Sequence, residues 1–163
     1  MGQRSDSRTA VERTSERELV VTRSFDAPTR IVFEAWTKPD LFKRWWAPKS
    51  SGMSLISVEQ DVRVGGRYRV VFGRDASPPM AFFGTYVEVI PNSRLVWTNE
   101  ESDEGPVTTV TFDDRGDKTL LVLRELYPSK GALDASIEGM ESSMHEQFDQ
   151  LDELLVTLGA RGL

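Results

Sequence analysis

The spacing of apolar positions changes period twice along the chain. Glu18 to Asp26 (ELVVTRSFD) is a β-prone run that Ala27-Pro28 ends. Pro28 suits the first turn of a helix, where its missing N–H would have had no partner. Val32, Phe33 and Trp36 then recur at helical spacing within Thr29 to Thr37. Lys38-Pro39 breaks the chain and restarts it as a second short helix, Asp40 to Trp46, which Pro48 stops. The period then falls to two. Met53 to Asp61, a Gly65-Gly66 turn and Arg67 to Phe72 read as a hairpin, with Tyr68, Val70 and Phe72 alternating with Arg67 and Arg69. Further strands are predicted at Ala81 to Ile90, Arg94 to Asn99, Val107 to Asp113 and Thr119 to Leu126. Such short links imply antiparallel pairing. Finally Leu133, Ile137, Met140, Met144, Phe148, Leu151, Leu155 and Leu158 follow one another at spacings of three and four before Gly159. A helix of that span is about 39 Å long.

A strand, two short helices, about six strands and one long amphipathic helix predict an α+β fold. In it a curved antiparallel sheet wraps around the C-terminal helix and leaves a space between them. The 163 residues, 39% hydrophobic, supply one core. Residues 18–160 are expected to form one domain. Met1 to Arg17, rich in Arg, Ser, Thr and Glu, is expected to be a disordered lead-in. That lead-in has no apolar centre for a secretory signal, and Asp6 breaks the myristoylation pattern. No run approaches the roughly 18 to 20 apolar residues of a membrane span. The expected location is the cytoplasm.

Charge adds one asymmetry. Residues 1–130 carry 19 Lys+Arg and 19 Asp+Glu, so the net charge of −6 lies on the C-terminal segment. With no basic stripe, neither nucleic acid nor an anionic membrane is an expected partner. The acidic helix face is either solvated or a dock for a basic protein. There is no cysteine and one histidine, which excludes thiolate chemistry and most transition-metal sites. Glu141, His145 and Asp149 stand in line along one helix and cannot enclose an ion, so no metal and no cofactor is expected.

The candidate site is the space under the helix. Tyr68, Val70 and Phe72 share a strand face, as do Val110 and Phe112, while Met140, Met144 and Phe148 lie on the inner helix stripe. Methionine suits a cavity that adapts to varied apolar ligands. Trp97 and Phe83 would supply flat walls, although the strand bearing Phe83 is apolar on both faces and its orientation is not set by alternation. Adjacent residues on a helix diverge by about 100°, so one of Trp45 and Trp46 can be buried while the other, assigned to Trp46, reaches a cavity mouth. Asp61 and Arg63 would pair, or present polar groups at the rim. Gly65 and Gly66 are expected to provide positive φ in the turn.

The ordered segments ELVVTRSFDAP, VFEAWTKPDLFKRWWAP, DVRVGGRYRV, FGTYVEVIPNSRLVWT, VTTVTF and KTLLVL resemble the family named for the activator of heat shock protein 90 ATPase homologue, within the START-like (SRPBCC) superfamily. The resemblance spans about Glu18 to Leu158. It implies the helix-grip fold, with an apolar cavity between the sheet and the last helix, and no single activity. Three functions follow as expectations. The first is binding of a small hydrophobic or aromatic molecule. The second is a chaperone ATPase co-factor or other interaction module, working through the acidic helix face around Glu138 and Glu141. The third is a cyclase- or hydratase-type enzyme. The chain shows no nucleophile with a partnered base, so an enzymatic role would rest on Asp61, Glu59, Tyr86 or Arg69.

Overall fold

The structure, a computed structural model, describes residues 9–73, 78–100, 103 and 105–162. Among the described residues eight strands form one antiparallel sheet: β1 (Thr9–Arg13), β2 (Glu18–Phe25), β3 (Ser54–Gln60), β4 (Arg67–Gly73), β5 (Met80–Ile90), β6 (Arg94–Thr98), β7 (Val107–Asp114) and β8 (Thr119–Leu126). Their spatial order is β1-β2-β8-β7-β6-β5-β4-β3. Consecutive strands from β3 to β8 lie side by side. Between β2 and β3 the chain crosses to the far edge of the sheet through α1 (Thr29–Thr37), α2 (Pro39–Phe42) and a 3-10 turn at Lys49–Ser51. Register shifts between Leu55 and Ser57 and between Tyr86 and Glu88 mark bulges, which bend the strands that carry them. The long helix α3 (Lys130–Gly162) lies in the resulting concavity. This is the helix-grip architecture.

Helix α1 buries Ile31, Val32, Phe33, Ala35 and Trp36, and ends where Lys38 turns extended ahead of Pro39. The second helix is shorter than its pattern predicts. It stops at Phe42, and Trp45 and Trp46 stand in the turns that follow, both with backbone N–H groups donating to the Phe42 carbonyl. Trp45 is fully buried, its indole N–H donating to the Ala35 carbonyl at 2.9 Å. Around Trp36 stand the rings of Trp45, Trp46, Trp97, Phe112 and Phe148, with centroids 4.8 to 6.3 Å away. Edge-to-face contacts of this kind add about 0.5 to 1.5 kcal/mol each beyond area burial.

Residues 9–13 are a second difference from expectation. Within the segment read as disordered, Thr9 to Arg13 pairs antiparallel with Arg23 to Leu19. An edge strand draws its stability from backbone partners and needs no apolar run of its own, which is why composition hid it. Two side chains tie it down: Arg13 forms an ion pair with Asp134 at 2.7 Å, and the Thr9 hydroxyl accepts from Arg23 Nη1 at 2.9 Å. Arg23 is 1% exposed, reaches Asp149 at 2.7 Å and Asp152 at 3.4 Å, and lies over the Phe25 ring. It pins the C-terminal half of α3 to β2.

The β3–β4 turn uses its two glycines differently. Gly65 has φ +85°. Gly66 does not, but a Cβ there would lie 2.0 Å from the Asp61 carbonyl oxygen, so its requirement is close backbone approach. The Gly65 N–H donates to the Tyr86 carbonyl and the Tyr86 N–H to the Gly66 carbonyl, docking the turn on β5.

Candidate functional site

A cavity of about 460 Å³ lies between the concave face of the sheet and the first half of α3. That volume falls within the range of about 300 to 1,000 Å³ typical of small-molecule sites. Its floor follows from strand register. Glu125 pairs with Thr108, Thr108 with Trp97 and Trp97 with Tyr86, so one row across β8, β7, β6 and β5 carries a carboxylate, a hydroxyl and two aromatic rings. Tyr68 extends this floor from β4, its ring 5.7 Å from Tyr86 and 6.3 Å from Trp97. Gly84 makes room for it, because a Cβ there would lie 2.9 Å from the Tyr68 ring and 1.9 Å from the Thr98 carbonyl oxygen. The Tyr68 hydroxyl donates to that carbonyl at 2.8 Å.

Phe42, Trp46, Phe72 and Phe82 close the β3–β4 side. Trp46 stacks on Phe42 with centroids 4.9 Å apart, and Phe72 meets Phe82 edge-on at 5.3 Å. The roof is α3, which presents Ala132, Ala135, Ser136, Ser143, Met144 and Gln147. Four of these six are Ala or Ser, so the space is a consequence of small side chains on the helix.

The polar groups of the wall are held in place. Glu125 accepts from the Tyr127 hydroxyl at 2.9 Å and the Thr108 hydroxyl at 3.1 Å. Burial, together with the neighbouring Glu125 charge, pushes the Tyr127 phenol well above its ordinary value. Burial also pushes Tyr86 up to about 12, against a smaller opposing effect of its Gln60 hydrogen bond. Both phenols are therefore protonated at neutral pH. Gln60 Nε2 donates to the Trp36 carbonyl at 2.9 Å and the Tyr86 hydroxyl at 3.3 Å, and Gln147 Nε2 donates to the Trp46 carbonyl. Three buried polar atoms on cavity-lining side chains have no hydrogen-bond partner among the described residues: Gln60 Oε1, Gln147 Oε1 and Trp36 Nε1.

Of the residues singled out from sequence, Trp46, Tyr68, Phe72, Trp97 and Met144 line this cavity. Val110, Phe112 and Phe148 are buried behind it in the core, Phe112 against Phe33 and Phe148 against Phe25. Phe83 lies on the opposite side of β5 from Phe82 and Tyr86, in a surface depression with Glu59, Arg67 and Arg69. The side chain of Met140 lies outside the described residues. Asp61 and Arg63 form an exposed ion pair at 3.0 Å in the β3–β4 turn, away from the cavity wall. Of the four residues named for an enzymatic role, Tyr86 alone lines the cavity.

Sequence reasoning passed over Glu125, Tyr127, Gln60 and Gln147. Strand alternation carried a signal for two of them, since Thr119, Leu121, Leu123, Glu125 and Tyr127 share one parity and all are buried. The acidic residues of α3 are largely engaged within the chain. Asp149 and Asp152 face Arg23, Asp134 pairs with Arg13 and Lys130, and Glu146 accepts from the Ser50 N–H and hydroxyl. The side chains of Glu138 and Glu141 lie outside the described residues.

A curved sheet gripping a C-terminal helix over a cavity defines a helix-grip protein of the START-like type. The chain belongs to the Activator of Hsp90 ATPase homolog 1-like protein family, whose model matches residues 26–156. Its fold is similar to that of a Rhodobacter sphaeroides protein (TM-score 0.85, 22% identity, 92% of this chain and 99% of that one). A Nitrosomonas europaea protein is also similar (TM-score 0.81, 22% identity, 90% and 98%). So is an AHSA1-like protein from Aeromonas hydrophila (TM-score 0.70, 21% identity, 86% and 94%). A search of curated proteins finds no match. Among the described residues no helix is long and apolar enough to cross a membrane.

Proposed function

We propose that this protein binds a small hydrophobic or aromatic molecule in the cavity beneath α3. The observation that carries the reading is the cavity itself: about 460 Å³ between sheet and helix, walled by Trp36, Trp46, Trp97 and Phe72 and supplied with a few buried polar groups. A helix carrying Leu in place of Ser143 would reduce that space. A role as chaperone co-factor is the second reading, favoured by the family to which the chain belongs. The engagement of Asp134, Glu146, Asp149 and Asp152 inside the chain leaves less of the acidic helix face to a partner.

The test is a titration with N-phenyl-1-naphthylamine, an uncharged fluorophore that brightens in apolar surroundings. Saturable one-to-one binding in the micromolar range is expected, with quenching of tryptophan emission because three of the four tryptophans line the cavity. Ser143→Leu is expected to weaken it at least tenfold. Binding unaffected by Ser143→Leu would place the probe elsewhere and remove the reading.

A further inference from the structure

The walls of the cavity are held in two different ways. Strands β4 to β8 are joined by backbone ladders, whereas the segment from Trp46 to Gly52, which leads from α2 towards β3, is tied to α3 by side chains. The Gln147 amide donates to the Trp46 carbonyl, and the Gln150 amide donates to the Trp45 and Ala47 carbonyls, each at 2.9 Å. In the other direction the Lys49 N–H donates to Gln150 Oε1 at 2.9 Å, and the Ser50 N–H and hydroxyl donate to the two oxygens of Glu146 at 2.9 and 2.5 Å. Bonds of this kind can be released without unpairing a strand or unwinding a turn of helix.

The two ends of this strap differ. At one end Trp45 is fully buried, with its indole N–H fixed to the Ala35 carbonyl. At the other Gly52 has φ +73°, a left-handed conformation open to glycine. Between them Lys49 and Ser50 are exposed, while Trp46 is half-buried, lines the cavity and stacks on Phe42. The strap thus has cavity wall at one end and solvent along its length.

We propose that Trp46–Gly52 is the gate of the cavity: the strap swings on Gly52 to admit and release the ligand, and Glu146, Gln147 and Gln150 latch it shut. The inference rests on the ligand-binding reading above and concerns the path to that site. Gln147 is part of the cavity wall, whereas Glu146 holds the exposed end of the strap and is not among the lining residues. Loosening the Glu146 end therefore raises the open fraction and leaves the closed cavity unchanged. Entry and exit speed up together, and affinity stays nearly constant.

The experiment follows N-phenyl-1-naphthylamine on the full chain by stopped flow, association by mixing and dissociation by rapid dilution. Glu146→Ala, which removes both bonds to Ser50, is expected to raise the two rates at least threefold each while Kd moves less than twofold. A purely structural contact would not produce that pairing. The converse arm locks the strap. The chain has no cysteine, so a Ser50→Cys/Glu146→Cys variant can be bridged with propane-1,3-diyl bismethanethiosulfonate and released by dithiothreitol. Binding and release are expected to be at least tenfold slower in the bridged form than in the released form. This arm compares one variant with itself and stands whatever either substitution costs in stability. Equal exchange rates in the bridged and released forms would overturn the gate. So would rates less than threefold faster in Glu146→Ala, or a loss of affinity carried by dissociation alone. Each of these leaves cavity binding intact, whereas no binding of the probe to the wild-type chain would remove the underlying reading.

Discussion

Over the second half of α3, from Phe148 to Leu155, the space between helix and sheet is filled, and over the first half it holds the cavity, beside a small core in which Ala132 and Leu133 pack on Leu19 and Tyr127. Both halves face one sheet and belong to one helix. In the filled half the inward positions are Phe148, Leu151, Leu154 and Leu155, each at most 6% exposed, and Arg23 ties Asp149 and Asp152 to β2. In the hollow half they include Ala132, Ala135, Ser136 and Ser143, which are too short to reach the aromatic floor. Stability and a candidate binding site are thus divided along one element, and side-chain volume is what divides them.

The largest expected effect comes from hollowing the filled half. Phe148→Ala removes a fully buried ring that packs on Phe25 and Trp36, and should cost about 3 to 5 kcal/mol. A urea unfolding series would show it as a lower midpoint at unchanged slope. A loss under about 1 kcal/mol would mean that this half does not carry the fold. Filling the hollow half is the converse. Ser143→Leu adds methylenes worth about 0.8 kcal/mol each when buried, so stability should stay within about 1 kcal/mol of the parent or rise while probe binding falls. A large loss of stability instead would show that the space is already taken up by a tightly packed arrangement.

The smallest effect belongs to the staple between Glu146 and Ser50, at the boundary between the two halves. Hydrogen bonds from the Ser50 hydroxyl, and then from its backbone N–H, hold the Glu146 carboxyl below its ordinary 4.5. A group whose value is lower in the folded state contributes stability that is complete above 4.5 and is lost as pH falls through the folded value. Glu146 is largely exposed to solvent screening, so Glu146→Gln should cost below about 1 kcal/mol at pH 7. The difference from the parent should shrink between pH 5 and pH 3 in thermal melts. A constant difference across that range would assign the effect to something other than ionisation.

Much of the fold was legible because periodicity reports local geometry. α1 (Thr29–Thr37) and β8 (Thr119–Leu126) occupy the spans their patterns predict. The element that escaped is one whose own sequence carries no apolar periodicity. β1 carries no apolar run and is held by β2, Arg23 and Asp134. The candidate site was legible in its aromatic part and less so in its polar part. Tyr68 and Trp97 stood out by type, whereas Gln147 is an ordinary helix residue until the Trp46 carbonyl meets its amide. Phe83 shows the limit of alternation, since a strand apolar on both faces has two consistent orientations.

By itself the amino-acid sequence determined the elements other than β1, their order, the antiparallel pairing and the amphipathic stripe of α3, because each depends on spacings of two to four residues and on turn chemistry between neighbours. Which small side chains of α3 face the cavity, Ala132, Ala135, Ser136 and Ser143, was decided by tertiary structure. Which strands neighbour one another was decided by tertiary structure, as were the row that brings Glu125, Thr108, Trp97 and Tyr86 together and the positions of the buried amide oxygens. The physical reason is separation. A cavity is a balance of side-chain volumes contributed by β3 to β8 and α3, and its polarity depends on which buried groups have already found partners across the sheet.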